Sequence, residues 1–316
     1  MSELRRFIVD TDTGSDDVWA VIESLRATDI VRVEAITVVC GNLPLDLCVK
    51  NAMLAVDAAG TYVPPVYRGM ERPLMRRQAF YAPDIHGEDG LGGMNLPMPE
   101  RPVETKHAMD AIIDIVMANP GEIEIVTCGP LTNLAMALLK EPKLAENIKK
   151  VWILGGSAGP AGNMTPTAEY NVYVDPEAAS IVLNAGMDTV WVCWDNAVGE
   201  TEITPDEVER LLSCGDPAAG FCARCTRQLR EYYRKKYDHD AFGVIDALVM
   251  TAALYPDIMQ GVFKANCAIE LSGSETRGYF RIDRRGQLGL APNAVVCPAV
   301  DVPLFKKYLF TLLGAG

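Results

Sequence analysis

Four aspartates crowd into eight residues where an apolar run ends: "FIVDTDTGSDD" carries Asp10, Asp12, Asp16 and Asp17. Two chemistries suit that spacing. An aspartate at a strand end, with a second two residues on, can be a nucleophile that is phosphorylated and then hydrolysed. Carboxylates gathered in one loop and helix start can instead hold a divalent cation, because like charges packed together raise one another's pKa until a counter-ion is supplied. A hard, oxygen-liking ion is expected. Calcium takes about 6–8 oxygens, backbone carbonyls among them, and suits a loop-built site better than magnesium.

The opening "DTDTG" resembles the nucleophile motif of HAD-superfamily phosphatases, which implies a later helical lysine and an acidic pair well downstream. Here the acidic pair Asp16–Asp17 is packed against the first motif, and the candidate "GDPAAG" at Gly215 lacks a second acid. The metal cluster is the favoured reading.

The elements that must position these acids show as an alternation. Short β-branched runs, "RRFIVDTD", "VRVEAITVVCG", "EIEIVTCG", "KKVWILGG" and "DTVWVCWD", each close on Gly or Asp. Between them lie helix-period segments such as "DDVWAVIESLRAT", "PLDLCVKNAMLAVDAAG", "HAMDAIIDIVMANPG", "LTNLAMALLKEP" and "DPEAASIVLNAG". That order predicts an α/β fold with a doubly wound, mostly parallel sheet, and ligands outside the carboxyl ends of its strands. Asp12, Asn42, Cys128 and Gly155–Gly156 all follow such runs and should share one crevice. The segment 205–242, charged and tyrosine-rich, reads as a helical excursion within a single domain spanning 1–316.

The composition, 49% hydrophobic and 22% charged over 316 residues, is that of a folded chain. A net charge of −13, with no basic block longer than "YYRKKY", excludes an electrostatic footprint for a nucleic acid polymer. The N-terminus lacks the apolar core of a signal peptide, and no segment reaches the roughly 18 apolar residues of a membrane span, so a cytoplasmic protein without a membrane partner is expected. The nine cysteines sit in apolar contexts such as "VVCGN" and "WVCWD" and read as reduced thiols. Cys222 and Cys225 in "FCARC" have no second ligand pair and read as helix packing.

The full "DTDTGSDD" closely resembles the "DxDxGxDD" signature of the inosine–uridine-preferring nucleoside hydrolase family. Further motifs follow in that family's order: "TVVCGN", "IHGEDGLGG", "CGPLTNLAMAL", "GNMTPTAEYNVYVDPEAA" and "IDALVMTAALYPD", from Asp10 to Pro256, with an echo in "TRG" at Thr276. The resemblance implies hydrolysis of the N-glycosidic bond of ribonucleosides to ribose and free base, by a calcium-bound water, in a homodimer or homotetramer. By position it makes Asp12, Asp17 and Asp246 side-chain calcium ligands and gives Cys128 a main-chain carbonyl on the ion. Asp12 would also be the base that takes the water's proton, and Asp10 would brace the loop. Asp16, Asn42 and Asn171 would bind the 2′- and 3′-hydroxyls, and Asn163 and Glu169 the 5′-hydroxyl. Tyr170 falls where relatives place a ring near the sugar, with simple packing as the alternative. His86 falls near the base side of the pocket, with loop bracing as the alternative.

One position departs from the pattern. Broad-specificity relatives carry a histidine just before the last calcium-binding aspartate, as acid to the leaving base. Here that position is Ile245, which has no proton to transfer. His239 could approach from a loop or stay solvated, and His107, at a helix start, reads as structural. Purine-specific relatives sandwich the base between aromatic rings instead; Phe80, Tyr81, Trp194, Tyr232, Tyr233 and Tyr237 are the candidates. A nucleoside-binding protein without turnover, or a hydrolase of another N-ribosyl compound such as a nicotinamide riboside, stays open beside the ribonucleoside hydrolase.

Overall fold

The computed structural model describes residues 4–77, 80–159 and 161–316. In chain order its strands are β1 (Arg5–Thr11), β2 (Val31–Val38), β3 (Val66–Arg68), β4 (Ile123–Thr127), β5 (Lys150–Leu154), β6 (Thr189–Val192), β7 (Met259–Gln260), β8 (Phe263–Ile269), β9 (Phe280–Asp283), β10 (Ala294–Cys297) and β11 (Ala299–Val300). Among the described residues nine of them form one sheet in the order β3-β2-β1-β4-β5-β6-β10-β8-β9. Pairings from β3 through β10 are parallel; β8 and β9 join antiparallel. The doubly wound, mostly parallel sheet is therefore as expected, with an antiparallel extension that the sequence pattern did not reveal.

Central strands are continuous apolar runs because helices cover both faces of the sheet. Phe7 and Val9 join one buried cluster with the helices Asp17–Arg26, Leu45–Ala59 and Ile245–Leu254. Ile8, between them, points into a second cluster with Ala108–Ala118, Thr132–Lys140 and Pro176–Leu183. The strand order reverses between β1 and β4. At such a switch point the two loops leaving the strand ends diverge and open a crevice. Asp12 is the residue after β1 and Cys128 the residue after β4, and the Cys128 N–H donates to the Asp10 carbonyl at 2.8 Å.

All ten residues of Ile245–Leu254 are buried, and Asp246 is its one charged residue. A helix apolar on every side belongs in a core, so an aspartate there needs a specific partner. The 205–242 excursion is helical as expected: Pro205–Ser213, started by a Thr204–Glu207 capping box, then Pro217–Cys225 and Arg227–Tyr237. Cys222 and Cys225 are buried free thiols in its middle helix. Among the described residues no helix is long and apolar enough to cross a membrane.

The opposite end of the sheet carries a structural ion pair. Glu124 accepts from Arg5, from Trp152 Nε1 at 2.9 Å, and lies 3.2 Å from Lys149 Nζ, with its side chain only 4% exposed. Arg5 and Lys149 hold its carboxyl below the ordinary glutamate range against the opposing effect of burial. Glu124→Ala leaves these donors unmatched and should cost about 3 kcal/mol in urea unfolding, the low end for breaking a buried pair because Arg5 is partly wet. Activity, housed at the other strand ends, should survive; unchanged stability would refute this role.

Candidate active site

The aspartate loop is built by donors from elsewhere in the chain. Cys48 Sγ donates to the Asp12 carbonyl (3.1 Å), Asn51 Nδ2 to that of Thr13 (3.2 Å) and Cys225 Sγ to that of Ser15 (3.3 Å). Buried carbonyls must find partners, so these side chains fix the loop's path. Asp12 is clamped on both sides by glycines. A Cβ on Gly41 would stand 2.0 Å from Asp12 Oδ2, and one on Gly129 would stand 2.7 Å from Oδ1. Only hydrogen fits there.

Asp10, inside β1, accepts from Thr37 Oγ1 (2.6 Å) and Asn133 Nδ2 (2.8 Å), tying β1 to β2 and to the start of a neighbouring helix. Asp17 accepts from Thr11 Oγ1 (2.6 Å), Gly14 N (2.8 Å) and Asn42 Nδ2 (3.1 Å). Asp12 Oδ2 accepts from Asn42 N at 2.7 Å, while Asp12 Oδ1 and Asp16 Oδ1 are buried with no partner. Asp16, Asp17 and Asp246 each offer an oxygen, all within 4.8 Å of one another. Asp16, expected on the ribose, thus stands inside the tightest carboxylate group, and Asp12, expected as a ligand, stands beside it. Asp12 still feels the others: burial first, then repulsion from Asp17 and Asp16, pushes its carboxyl well up. Burial and the same repulsions raise Asp246, and burial and Asp16 raise Asp17.

Buried, mutually repelling carboxylates with unpartnered oxygens are a donor set that a divalent cation fits. The Cys128 carbonyl accepts from Asn171 Nδ2 at 2.7 Å and keeps a second lone pair.

A cleft of about 250 Å³ opens over these acids. Asp16, Asn42, His86, Cys128, Asn163, Glu169, Tyr170, Asn171 and Asp246 line it, and Asp12 and Asp17 do not. Glu169 caps the helix Tyr170–Val174, accepting from Asn171 N (2.8 Å), Val172 N (3.1 Å) and Gly156 N (3.1 Å); burial raises its carboxyl to about 7. Asn163 Oδ1 accepts from Tyr170 N at 2.8 Å, and the Tyr170 hydroxyl donates to the Phe80 carbonyl. His86 both lines the cleft and braces the loop. Its Nδ1 accepts from Ser15 N (3.2 Å) and stands 3.6 Å from Asp16 Oδ1, and burial lowers its pKa to about 4.

Away from the acids the cleft is walled by Trp194, Tyr232, Tyr233, Tyr237 and Ile245; of the other candidate rings, Phe80 and Tyr81 are not in the wall. Seven lining residues were not singled out from the sequence: Ala82, Ile85, Leu154, Met164, Leu229, Lys236 and Gly243. The helical spacing of Leu229 from Tyr233, and of Tyr232 from Lys236, was the available signal. His239 is not in the wall either; its Nε2 bonds Glu202 Oε2 at 2.7 Å. His107 is structural, accepting from Met109 N as the N-cap of Ala108–Ala118.

The sequence pattern described as inosine-uridine preferring nucleoside hydrolase matches residues 7–307, nearly the whole chain. The chain belongs to that family. An uncharacterized protein of Schizosaccharomyces pombe is 35% identical, with 98% of this chain and 99% of that one covered. The non-specific ribonucleoside hydrolase RihC of Salmonella newport is 32% identical, over 98% of this chain and 97% of its own. A plant nucleoside hydrolase, the PpNRh1 enzyme, superposes with a TM-score of 0.92 at 29% identity, covering 99% of this chain and 100% of that chain.

The nucleoside hydrolase carboxylates yield a pH prediction. Asp10 is raised to about 7 by burial, and Asp12 and Asp246 are raised well above the ordinary range. A folded-state pKa above the unfolded value stabilises the fold at low pH, and that contribution disappears as pH climbs through the folded pKa. With a chelator present, the thermal midpoint should fall from about pH 5 to about pH 8, and a divalent cation should restore more at the higher pH. A chelated protein that gains stability over this window would contradict the raised values.

Proposed function

We propose that this protein hydrolyses the N-glycosidic bond of ribonucleosides, giving ribose and free base, with one calcium ion as its cofactor. The observation that carries this reading is the set of buried acids Asp12, Asp16, Asp17 and Asp246 under a cleft lined by amides, in a chain that belongs to the nucleoside hydrolase family. Asp12, Asp17, Asp246 and the Cys128 carbonyl would hold the ion. When bound, calcium would lower the pKa of the attacking water and offer coordination positions to the ribose hydroxyls.

The chain's own groups supply the rest. Positive charge grows on the ribose as the bond to the base breaks, so buried carboxylates beneath the ring stabilise the transition state more than the ground state. Asp12 Oδ1, free of any hydrogen bond, accepts the proton of the water that attacks C1′. Asp16 Oδ1 accepts from a ribose hydroxyl. Asn42 Nδ2 is engaged on Asp17 and keeps a second N–H and an oxygen, while Asn171 Nδ2 donates to the Cys128 and Leu154 carbonyls and keeps its oxygen, for the 2′- and 3′-hydroxyls. Glu169 and Asn163 stand at the cleft wall for the 5′-hydroxyl, with Tyr170 beside them. His86, held neutral by burial, orients the loop under Asp16. One domain spanning 1–316, in a cytoplasmic homodimer or homotetramer, completes the reading.

Ile245, 7% exposed at the head of its helix, favours a second reading in which nucleosides bind without turnover. Free base or reducing sugar released from a panel of purine, pyrimidine and nicotinamide ribosides, with and without a calcium chelator, decides between them. Turnover that the chelator abolishes is expected. Turnover on none of the ribosides would defeat the hydrolase reading, and turnover indifferent to chelator would defeat the metal. Asp12→Asn should lower kcat by about 10²–10⁴-fold with the fold retained by circular dichroism.

A further inference from the structure

The far end of the cleft holds a cation that no carboxylate answers. Arg234, Lys235 and Lys236 are consecutive near the end of the Arg227–Tyr237 helix. Arg234 Nε lies 2.7 Å from Asp240 and Lys235 Nζ 4.0 Å from Glu231. Among the described residues Lys236 makes no ion pair; its ammonium donates to the Tyr232 hydroxyl and lies 4.9 Å and 5.4 Å from the ring centroids of Tyr232 and Tyr237. Tyr232 and Lys236 are four residues apart and share a helix face. The ring faces attract the ammonium without neutralising it. A groove outside the cleft brings Asp84, Gln228 and Lys235 beside Tyr232 and Lys236, so Asp84 and Lys235 are the charged neighbours on that side.

Ile245 and Asp246 line the same cleft as Lys236. Asp246 belongs to the acid cluster; with the ribose on that cluster, as the proposed function has it, the helix that carries Lys236 is left to face the base. We propose that Lys236 is the proton donor to the departing base, doing the work that Ile245 cannot. The inference rests on the ribonucleoside hydrolase reading. As the bond from C1′ to the base nitrogen breaks, its electron pair goes to the base, and Lys236 Nζ gives a proton to a nitrogen of that base. The water oxygen bonds C1′ and its proton goes to Asp12; solvent then reprotonates the amine and deprotonates Asp12. One nucleoside and one water become ribose and neutral base. An ammonium is a weak acid, but the leaving nitrogen becomes strongly basic only as its bond breaks, so the transfer is favourable when it is needed. Tyr232 is a positioning residue whose oxygen aims the ammonium. His86 is held at the other end, by Ser15 and next to Asp16.

The test uses the calcium-loaded full chain and two substrates: inosine, whose base leaves more readily when protonated, and p-nitrophenyl riboside, whose nitrophenolate leaves unaided. Lys236→Met should lower the ratio of kcat on inosine to kcat on the nitrophenyl riboside by about 10²-fold, the scale of one general acid. Tyr232→Phe should lower it less. If the methionine variant does not fold, Lys236→Gln gives the same ratio. Equal losses on both substrates would assign Lys236 to closing the cleft and overturn the proposal, as would an undiminished rate on inosine. A wild-type chain that cleaves neither riboside would overturn the hydrolytic reading itself.

Discussion

The structure depends on concentrating negative charge where water cannot reach it. Asp10, Asp12 and Asp17 are at most 1% exposed, and Asp16 and Asp246 only slightly more. Charged groups so placed are costly unless each oxygen is matched by a donor or a cation. The chain meets part of that demand itself, with Thr37 and Asn133 on Asp10 and Thr11, Gly14 and Asn42 on Asp17. It leaves Asp10 Oδ2, Asp12 Oδ1 and Asp16 Oδ1 unmatched. The latter two, in the loop after β1, are where the donor set asks for a ligand, and the sheet's switch point is where a ligand can enter.

That demand accounts for residues that look unrelated in the sequence. Gly41 and Gly129, in the loops that follow β2 and β4, are both dictated by the volume of the Asp12 carboxylate. Cys48, Asn51 and Cys225 come from two helices and converge on three carbonyls of the aspartate loop, those of Asp12, Thr13 and Ser15. The thiols are inert in this role: burial raises the pKa of Cys48, and that of Cys225 too, so both remain weak donors rather than nucleophiles. The 205–242 excursion is therefore tied into the site from below, through Cys225, as well as forming the cleft wall above it.

What the sequence made legible follows from the same physics. Five parallel strands were readable because burial on both faces leaves unbroken apolar runs, and the acids were readable because nothing but a site explains them beside such a run. β3 is three residues long, and β8 alternates buried with half-wet positions as an antiparallel extension does, so neither stands out from loop sequence. Within the site, the resemblance put Asp12 on the ion and Asp16 on the ribose, whereas Asp16 is the one grouped within 4.8 Å with Asp17 and Asp246, because where the loop places each carboxylate is not carried by spacing. Phe80 and Tyr81 were named as wall rings and are not in it, because the Phe80 carbonyl is held by the Tyr170 hydroxyl and Tyr81 is 45% exposed. Lys236 was invisible for a different reason. In "YYRKKY" three cations look alike, and only the packed helix separates the two paired with carboxylates from the one surrounded by phenols.

The two ends of the cleft are consequently built on different principles. At the acid end, rigid strand termini and backbone donors fix every group, which suits a sugar whose hydroxyls are the same in all ribonucleosides. At the far end the wall is a charged, amphipathic helix whose rings touch edge to face, Tyr232, Tyr233 and Tyr237 lying 5.3–6.3 Å apart, and whose outer residues are solvent-exposed. The two ends are held by separate elements: the tyrosines by the Arg227–Tyr237 helix, Asp12, Asp16 and Asp17 by the chain that follows β1, and Asp246 by the buried helix Ile245–Leu254.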